Sequence, residues 1–316
     1  MDLVFCGTPV FAVPTLRRLV DEGFRVRLVV TQPDRPSGRG QQVAAPPVKH
    51  AAEDLGLAIV QPDKIKNNVE FRARLEALRP DAIVVVGYGR IIPKWMLDLP
   101  RLGNINLHGS LLPKYRGAAP IQWAIARGET VTGVTTMLLN EGLDTGDILM
   151  MREERIAPED TAATLAARLA AIGAELMVET LRGLGAGTIT RTPQDDSQAT
   201  LAPILTREDG RIDFARPAPE IVNRWRGFQP WPGAFTTFRE RIVTVRSLRV
   251  AQERAPAPGA VNVRDHRLLV GCGDGTAVEL LEVQLEGKKA VSARDFINGT
   301  RPQEGEVLGA ASASQV

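Results

Sequence analysis

Asn106 and His108 stand one residue apart in NINLHG (104–109), a run that reads as a β-strand. Successive strand side chains alternate faces, so the amide and the imidazole point the same way. At a strand terminus such a pair can hydrogen-bond an oxygen that gains negative charge, which is what acyl transfer demands. Location sets His108 apart from His50, in a helical stretch, and His266, in a turn, where an imidazole is ordinarily structural or solvated. Asp144 lies in the glycine-bracketed NEGLDTG (140–146), which by itself reads as an Asx turn. No cysteine or serine is set up as a nucleophile. Ser110 falls outside a nucleophile-elbow pattern, and Cys6 and Cys272 each sit in an apolar stretch without a second thiol at metal-ligand spacing, so neither a zinc site nor a disulfide is expected.

These residues need a scaffold. The first half of the chain alternates short β-branched runs (3–7, 24–31, 57–61, 82–87, 104–109) with helical patterns, the mark of a parallel sheet built from βαβ units. In such a sheet ligands bind beyond the carboxyl ends of the strands. Four unusual segments should therefore converge on one rim: Gly7-Thr8-Pro9, QPDRPSGRGQQVAA (32–45), Gly87-Tyr88-Gly89, and the residues from Asn106 to Ser110. The first lacks the later glycines of a dinucleotide fingerprint, and no Walker-type phosphate loop occurs. The second has 14 residues where roughly two to six are usual, which calls for function or disorder. It carries Arg35 and Arg39, the latter between Gly38 and Gly40. VTGVTTMLL and GDILMMREERI read as two more strands, and Thr161 as the N-cap of a helix with Leu165, Leu169, Ile172 and Leu176 on one stripe. Periodicity lapses over 183–216; a helix over 218–227 and five short strands follow, suggesting a small β-barrel of the OB type.

A length of 316 residues suits two domains, and 24% charged with 44% apolar residues suits an ordinary soluble protein. With 39 basic against 37 acidic residues, a strongly basic, charge-driven nucleic-acid binder is excluded. The charge is unevenly placed: residues 1–200 balance, whereas 211–254 hold nine arginines against four acids. That placement suits phosphate contact. No apolar run approaches the roughly 18 residues of a membrane span, and no signal-peptide pattern opens the chain, so a cytoplasmic location is expected.

NLHGSLLPKYRGAAP (106–120) followed by GLDTGDIL (142–149) resembles the signature of the folate-dependent formyltransferases. FCGTPVFAVPTL (5–16), TQPDRPSGRG (31–40) and PWPGA (230–234) are similar to the branch that formylates a charged initiator tRNA rather than to the purine-pathway enzyme. The resemblance implies a Rossmann-like parallel-sheet formyltransferase domain over 1–187, a linker over 188–207 and an OB-like tRNA-binding domain over 208–316. It implies 10-formyltetrahydrofolate as co-substrate, methionyl-initiator tRNA as acceptor, a monomer, and neither metal nor membrane. Asn106, His108 and Asp144 map onto the catalytic set. Folate contacts fall on Gly87, Tyr88 and Gly89 and on Ser110, Leu111, Leu112 and Pro113, and tRNA contacts on Arg35 and Arg39. Gln41 and Gln42 stand where many relatives carry lysines, which leaves more of the RNA grip to Arg39. Two rivals remain: a formyltransferase for a small amine, such as glycinamide ribonucleotide or an amino sugar, and a non-catalytic RNA-binding protein, which would leave the Asn106–His108 pair unexplained.

Overall fold

Apolar β-branched runs assemble into a seven-stranded sheet in the computed structural model, which describes residues 1–37, 42–253, 257–303 and 305–309. The chain divides into two units, the first comprising Met1–Pro120, Val131–Arg155 and Thr164–Pro203, the second Ile121–Thr130, Ile156–Ala163 and Ile204–Val316.

In the first unit, β1 (Asp2–Gly7), β2 (Arg25–Val30), β5 (Ile59–Val60), β6 (Ala82–Val86) and β7 (Asn104–His108) are parallel. β8 (Val131–Leu138) and β9 (Ile148–Arg155) extend the sheet antiparallel, in the order β5-β2-β1-β6-β7-β8-β9. The sheet is thus parallel through β7 and antiparallel beyond it, and the short connection between β8 and β9 can join only antiparallel neighbours. Every residue of β6 and β7 is buried, which is why they read as apolar runs, broken in β7 by Asn104 and by the site residues Asn106 and His108. The second-strand loop holds two antiparallel strands, β3 (Arg35–Ser37) and β4 (Gln42–Ala44), with Arg35 opposite Ala44; residues 38–41 lie outside the described residues.

Helices α1 (Val13–Asp21), α2 (Pro47–Asp54), α3 (Val69–Leu78) and α4 (Lys94–Leu97) connect the parallel strands; α5 (Pro120–Ala126) precedes β8 and α6 (Ala162–Ala186) follows β9. α6 packs against the back of β7. A side chain at Gly173 would come within 2.6 Å of Leu107, and Thr180 hydrogen-bonds Thr136 at 2.8 Å. Leu107 therefore faces α6, and Asn104, Asn106 and His108 face the other way. The Asn104 amide donates to the carbonyls of Met96 and Leu97 at 2.9 and 3.0 Å, holding α4 on that face.

The second unit holds α7 (Ala218–Gly227), an antiparallel sheet in the order β10 (Phe235–Phe238), β11 (Arg241–Val250), β14 (Ala277–Leu285), β13 (Arg267–Gly271), β12 (Val261–Arg264), then β15 (Val291–Ser292) beside β14, and α8 (Ala293–Thr300). The last described residues join its two edges. Val261 N donates to Glu306 O at 2.7 Å on the β12 side, and Gly309 N to Thr237 O at 2.9 Å on the β10 side. Val243, Val245, Leu268, Val278, Leu280 and Phe296 fill the interior. Trp123 meets Phe228 edge-on at 5.4 Å, and Arg226 donates to the carbonyls of Ala157 and Asp160, which is why 121–130 and 156–163 belong to this unit.

Candidate active site

The parallel register places Val85 beside Cys6 and Asn106, so the segments beyond β1, β6 and β7 leave the sheet side by side. Asn106 lies opposite Met137 and His108 opposite Thr135. Both site residues are buried, at 9% and 5% exposure, and among the described residues no hydrogen bond engages the Asn106 amide.

His108 Nε2 lies 2.9 Å from the Tyr115 carbonyl oxygen. A carbonyl only accepts, so Nε2 carries the proton and Nδ1 is left to work. Nδ1 is 3.7 Å from Asp144 Oδ2. Asp144 has left-handed backbone, φ 51°, and its Oδ2 accepts a hydrogen bond from Gly117 N at 2.8 Å. The Asx turn expected of this segment belongs instead to Asn140, whose Oδ1 accepts from Gly142 N at 3.0 Å and Thr145 Oγ1 at 2.9 Å. That leaves the Asp144 carboxylate free to reach across to Gly117 and His108. At Gly146 a Cβ would fall on the Leu138 carbonyl, so the loop closes this tightly only with glycine there.

The stretch after His108 doubles back under Thr135. Thr135 Oγ1 donates to Ser110 O at 2.7 Å and accepts from Leu112 N at 3.2 Å, while Ser110 Oγ donates to Lys114 O at 2.6 Å. Ser110 and Leu112 are thereby buried, and Leu111 and Pro113 keep partial exposure. At the end of β6, Gly87 and Gly89 are exposed with φ 55° and 76°, whereas the Tyr88 side chain is buried. The Tyr88 carbonyl accepts from Thr8 Oγ1 and Gln32 Nε2, both at 3.1 Å. Gln32 Oε1 in turn accepts from Arg90 Nε at 3.1 Å and Arg35 at 3.5 Å, tying the end of β2 to the same rim. Arg39 lies outside the described residues.

Burial pushes the Cys6 thiol and the Tyr88 hydroxyl well above their usual ranges, so neither is an anionic nucleophile near neutral pH. The Asp34 carboxyl is held below the usual carboxylate range by its Gln61 hydrogen bond and then by Lys49. Among the described residues no three His, Cys, Asp or Glu side chains are grouped to hold a metal, and no helix is long and apolar enough to cross a membrane.

Gln194 and Thr200 support this site without a sequence signal of their own, since both fall where periodicity lapses; Arg116 lies inside the 106–120 signature and Gln32 inside TQPDRPSGRG, where nothing singles out either side chain.

The formyl transferase family model matches residues 1–181, and the formyl transferase C-terminal domain model matches 204–301. The chain is 65% identical over 300 residues to the methionyl-tRNA formyltransferase of Acidobacterium capsulatum, covering 95% of this chain and 96% of that one. It is 62% identical over 313 residues to the methionyl-tRNA formyltransferase of Koribacter versatilis, covering 99% and 100%. It shares its fold with the crystal structure of the N-formyltransferase from Helicobacter canadensis in complex with folinic acid and dTDP-3-aminofucose, with a TM-score of 0.66 and 18% identity over 88% of this chain and 98% of that one.

Proposed function

We infer the activity from one premise: the chain belongs to the formyl transferase family and carries both its N-terminal and its C-terminal domain. The relatives it matches along nearly their whole length carry the name methionyl-tRNA formyltransferase, and that is the activity of this chain. It transfers the formyl group of 10-formyltetrahydrofolate to the free α-amino group of methionyl-initiator tRNA, giving N-formylmethionyl-tRNA for translation initiation. The observation that carries the chemistry is the His108–Asp144 contact of 3.7 Å beside an Asn106 side-chain amide that none of the described residues hydrogen-bonds.

The α-amine attacks the formyl carbon, a new C–N bond forms, and the carbonyl electrons move onto oxygen. Collapse of that tetrahedral oxyanion breaks the bond to folate N10, and the proton lost by the amine ends on N10. An α-amino group titrates near about 8, so a weak base is enough to keep the attacking nitrogen neutral. Asn106 donates to the oxyanion, and His108 joins it through Nδ1 once that nitrogen is protonated. Asp144 faces the same nitrogen, so its carboxylate stabilises positive charge that develops there during transfer and offers an acceptor for the amine proton through water. No step calls for a metal.

Folate lies along the backbone of Gly87, Tyr88 and Gly89 and of Ser110, Leu111, Leu112 and Pro113. The exposure of both glycines and the partial exposure of Leu111 and Pro113 support that path, with Tyr88 contributing main chain only. Arg35 and Arg39 grip the acceptor end of the tRNA. Residues 1–187 do the chemistry and 208–316 hold the tRNA, with 188–207 between them. The nine arginines against four acids over 211–254 support phosphate contact by the second unit. The protein works as a cytoplasmic monomer. Labelled 10-formyltetrahydrofolate offered with methionyl-initiator tRNA, glycinamide ribonucleotide, a nucleotide-linked amino sugar or no acceptor tests this reading: label passes to the tRNA alone, and transfer to a small amine instead would overturn it.

A further inference from the structure

Asp144 is gripped by groups to which the proposed reaction gives no contact with substrate. Gln194 lies between the residues matched by the two family domains, 1–181 and 204–301. Its Nε2 donates to the carbonyls of Asp144 and Gly146, both at 2.8 Å. Its Oε1 accepts from Arg116 Nε and an Arg116 terminal nitrogen at 3.0 and 2.8 Å. Both N–H groups and both lone pairs of the amide are thereby used, so the half-buried Gln194 side chain has one fully satisfied orientation. Arg116 is buried, at 7% exposure, and is anchored at its far end by Asp196 at 2.7 Å.

The neighbours of Arg116 hold the other half of the pair. Tyr115 supplies the carbonyl that fixes His108 Nε2, and Gly117 the N–H that fixes Asp144 Oδ2. The 192–202 stretch is itself stitched down at both ends. Thr192 and Ile148 exchange two backbone hydrogen bonds at 2.8 and 2.9 Å, while Arg116 N donates to Thr200 O at 2.8 Å and Ala202 N to Arg116 O at 2.7 Å. At Gly117, φ 124°, a Cβ would lie 2.5 Å from the Ala202 carbonyl, so this approach also needs a glycine.

We propose that Gln194 and Arg116 are positioning residues for the His108–Asp144 pair, which makes 192–202 a working part of the transfer site rather than a passive connection. Asp144 adopts left-handed backbone, which aspartate tolerates, so local conformation alone does not fix where its carboxylate points. Gln194 holds the loop in place by tying the Asp144 and Gly146 carbonyls to a buried cation. The assignment rests on the proposed catalytic role of Asp144, and the test separates the two.

Gln194→Met keeps the side-chain length while removing every hydrogen bond to the loop, together with the weak N–H···S contact to Met137 Sδ. Arg116→Lys keeps the charge opposite Asp196 and loses the two-pronged grip on Gln194. Each is combined with Asp144→Asn in a double-mutant cycle, with kcat and both KM values measured per folded molecule. In the otherwise unaltered enzyme, Gln194→Met lowers kcat about tenfold and leaves both KM values within about twofold, since it touches neither substrate. In the Asp144→Asn background the same change costs less than about twofold, because the carboxylate it positions is already gone. An equal loss in both backgrounds, or a Gln194→Met kcat within about twofold of the parent, overturns the proposal. Should Gln194→Met not fold, the Arg116→Lys cycle decides on the same criteria. If Asp144→Asn alone keeps the parental kcat, the catalytic reading of Asp144 falls with it; if Asp144→Asn is slow and Gln194→Met is not, only the positioning role falls.

Discussion

Asp144→Asn isolates the charge that faces His108. Asparagine tolerates left-handed backbone as well as aspartate does, so the φ of 51° is kept, and its side-chain oxygen can still accept from Gly117 N. Only the negative charge and one acceptor are lost. At 3.7 Å, with both side chains largely buried, a full charge pair at an effective dielectric constant near 20 is worth about 4.5 kcal/mol. If about half a proton has reached His108 Nδ1 at the transition state, roughly 2 kcal/mol of barrier lowering is lost, a fall in kcat of about 30-fold. The substituted amide adds to this, because its N–H group can bond the neutral Nδ1 and occupy the nitrogen that should take the proton. The assay is single-turnover formyl transfer at saturating folate and tRNA, read beside a thermal melt. The expected result is slow chemistry with a melting temperature within a few degrees of the parent and little change in folate affinity. A kcat within about threefold of the parent, in a protein that melts normally, would refute the claim that the carboxylate acts electrostatically on His108.

Asn106→Ala removes an oxyanion donor worth on the order of 3 kcal/mol and should lower kcat at least tenfold to a hundredfold, while the melt stays near parental because its side chain makes no hydrogen bond among the described residues; steady-state kinetics with calorimetry check both halves. Arg39→Ala should lower kcat/KM for methionyl-tRNA by about tenfold or more and leave folate affinity within about twofold, as titration with each ligand would reveal. In the second unit, the Glu279 carboxyl is held below its usual range first by its hydrogen bond to Arg267, with Arg249 adding to it. A carboxylate whose folded pKa is depressed contributes stability above its unfolded pKa of about 4.3 and loses it as pH falls through the folded pKa. Glu279→Gln should therefore cost about 2 kcal/mol near neutral pH and progressively less below about pH 4, a convergence visible in melts of the two proteins across that range.

Local periodicity carried much of this molecule. The alternation that puts Asn106 and His108 on one face holds because strand geometry alone dictates it, and both face away from Leu107 and α6 in the folded sheet. The helix over 218–227 coincides with α7, and the five C-terminal runs coincide with β10 to β14, since each is a short apolar segment bounded by turn residues. β15 and α8 pass unread: two residues are too few to show a period, and α8 owes its start to Ser292, whose hydroxyl accepts from Asp295 N at 3.1 Å.

Partnership between distant residues was another matter. Asp144 is visible in the sequence only as a turn residue and through a family motif, and its contact with His108, 36 positions away, depends on β8 and β9 folding back beside β7. Which nitrogen of His108 works is decided by the Tyr115 carbonyl, a main-chain group that every residue possesses and no side-chain pattern can announce. Gln194 is the extreme case. It lies in an aperiodic stretch, and its identity acquires meaning only when the chain lays it between the Arg116 guanidinium and the carbonyls of Asp144 and Gly146. The elements, and the faces their side chains occupy, are legible in the residues because they follow from the 2.0- and 3.6-residue repeats of the backbone. Which polar groups meet is set by the folded chain, because a hydrogen bond or an ion pair depends on distances of a few ångströms between residues whose separation along the chain carries no information about them.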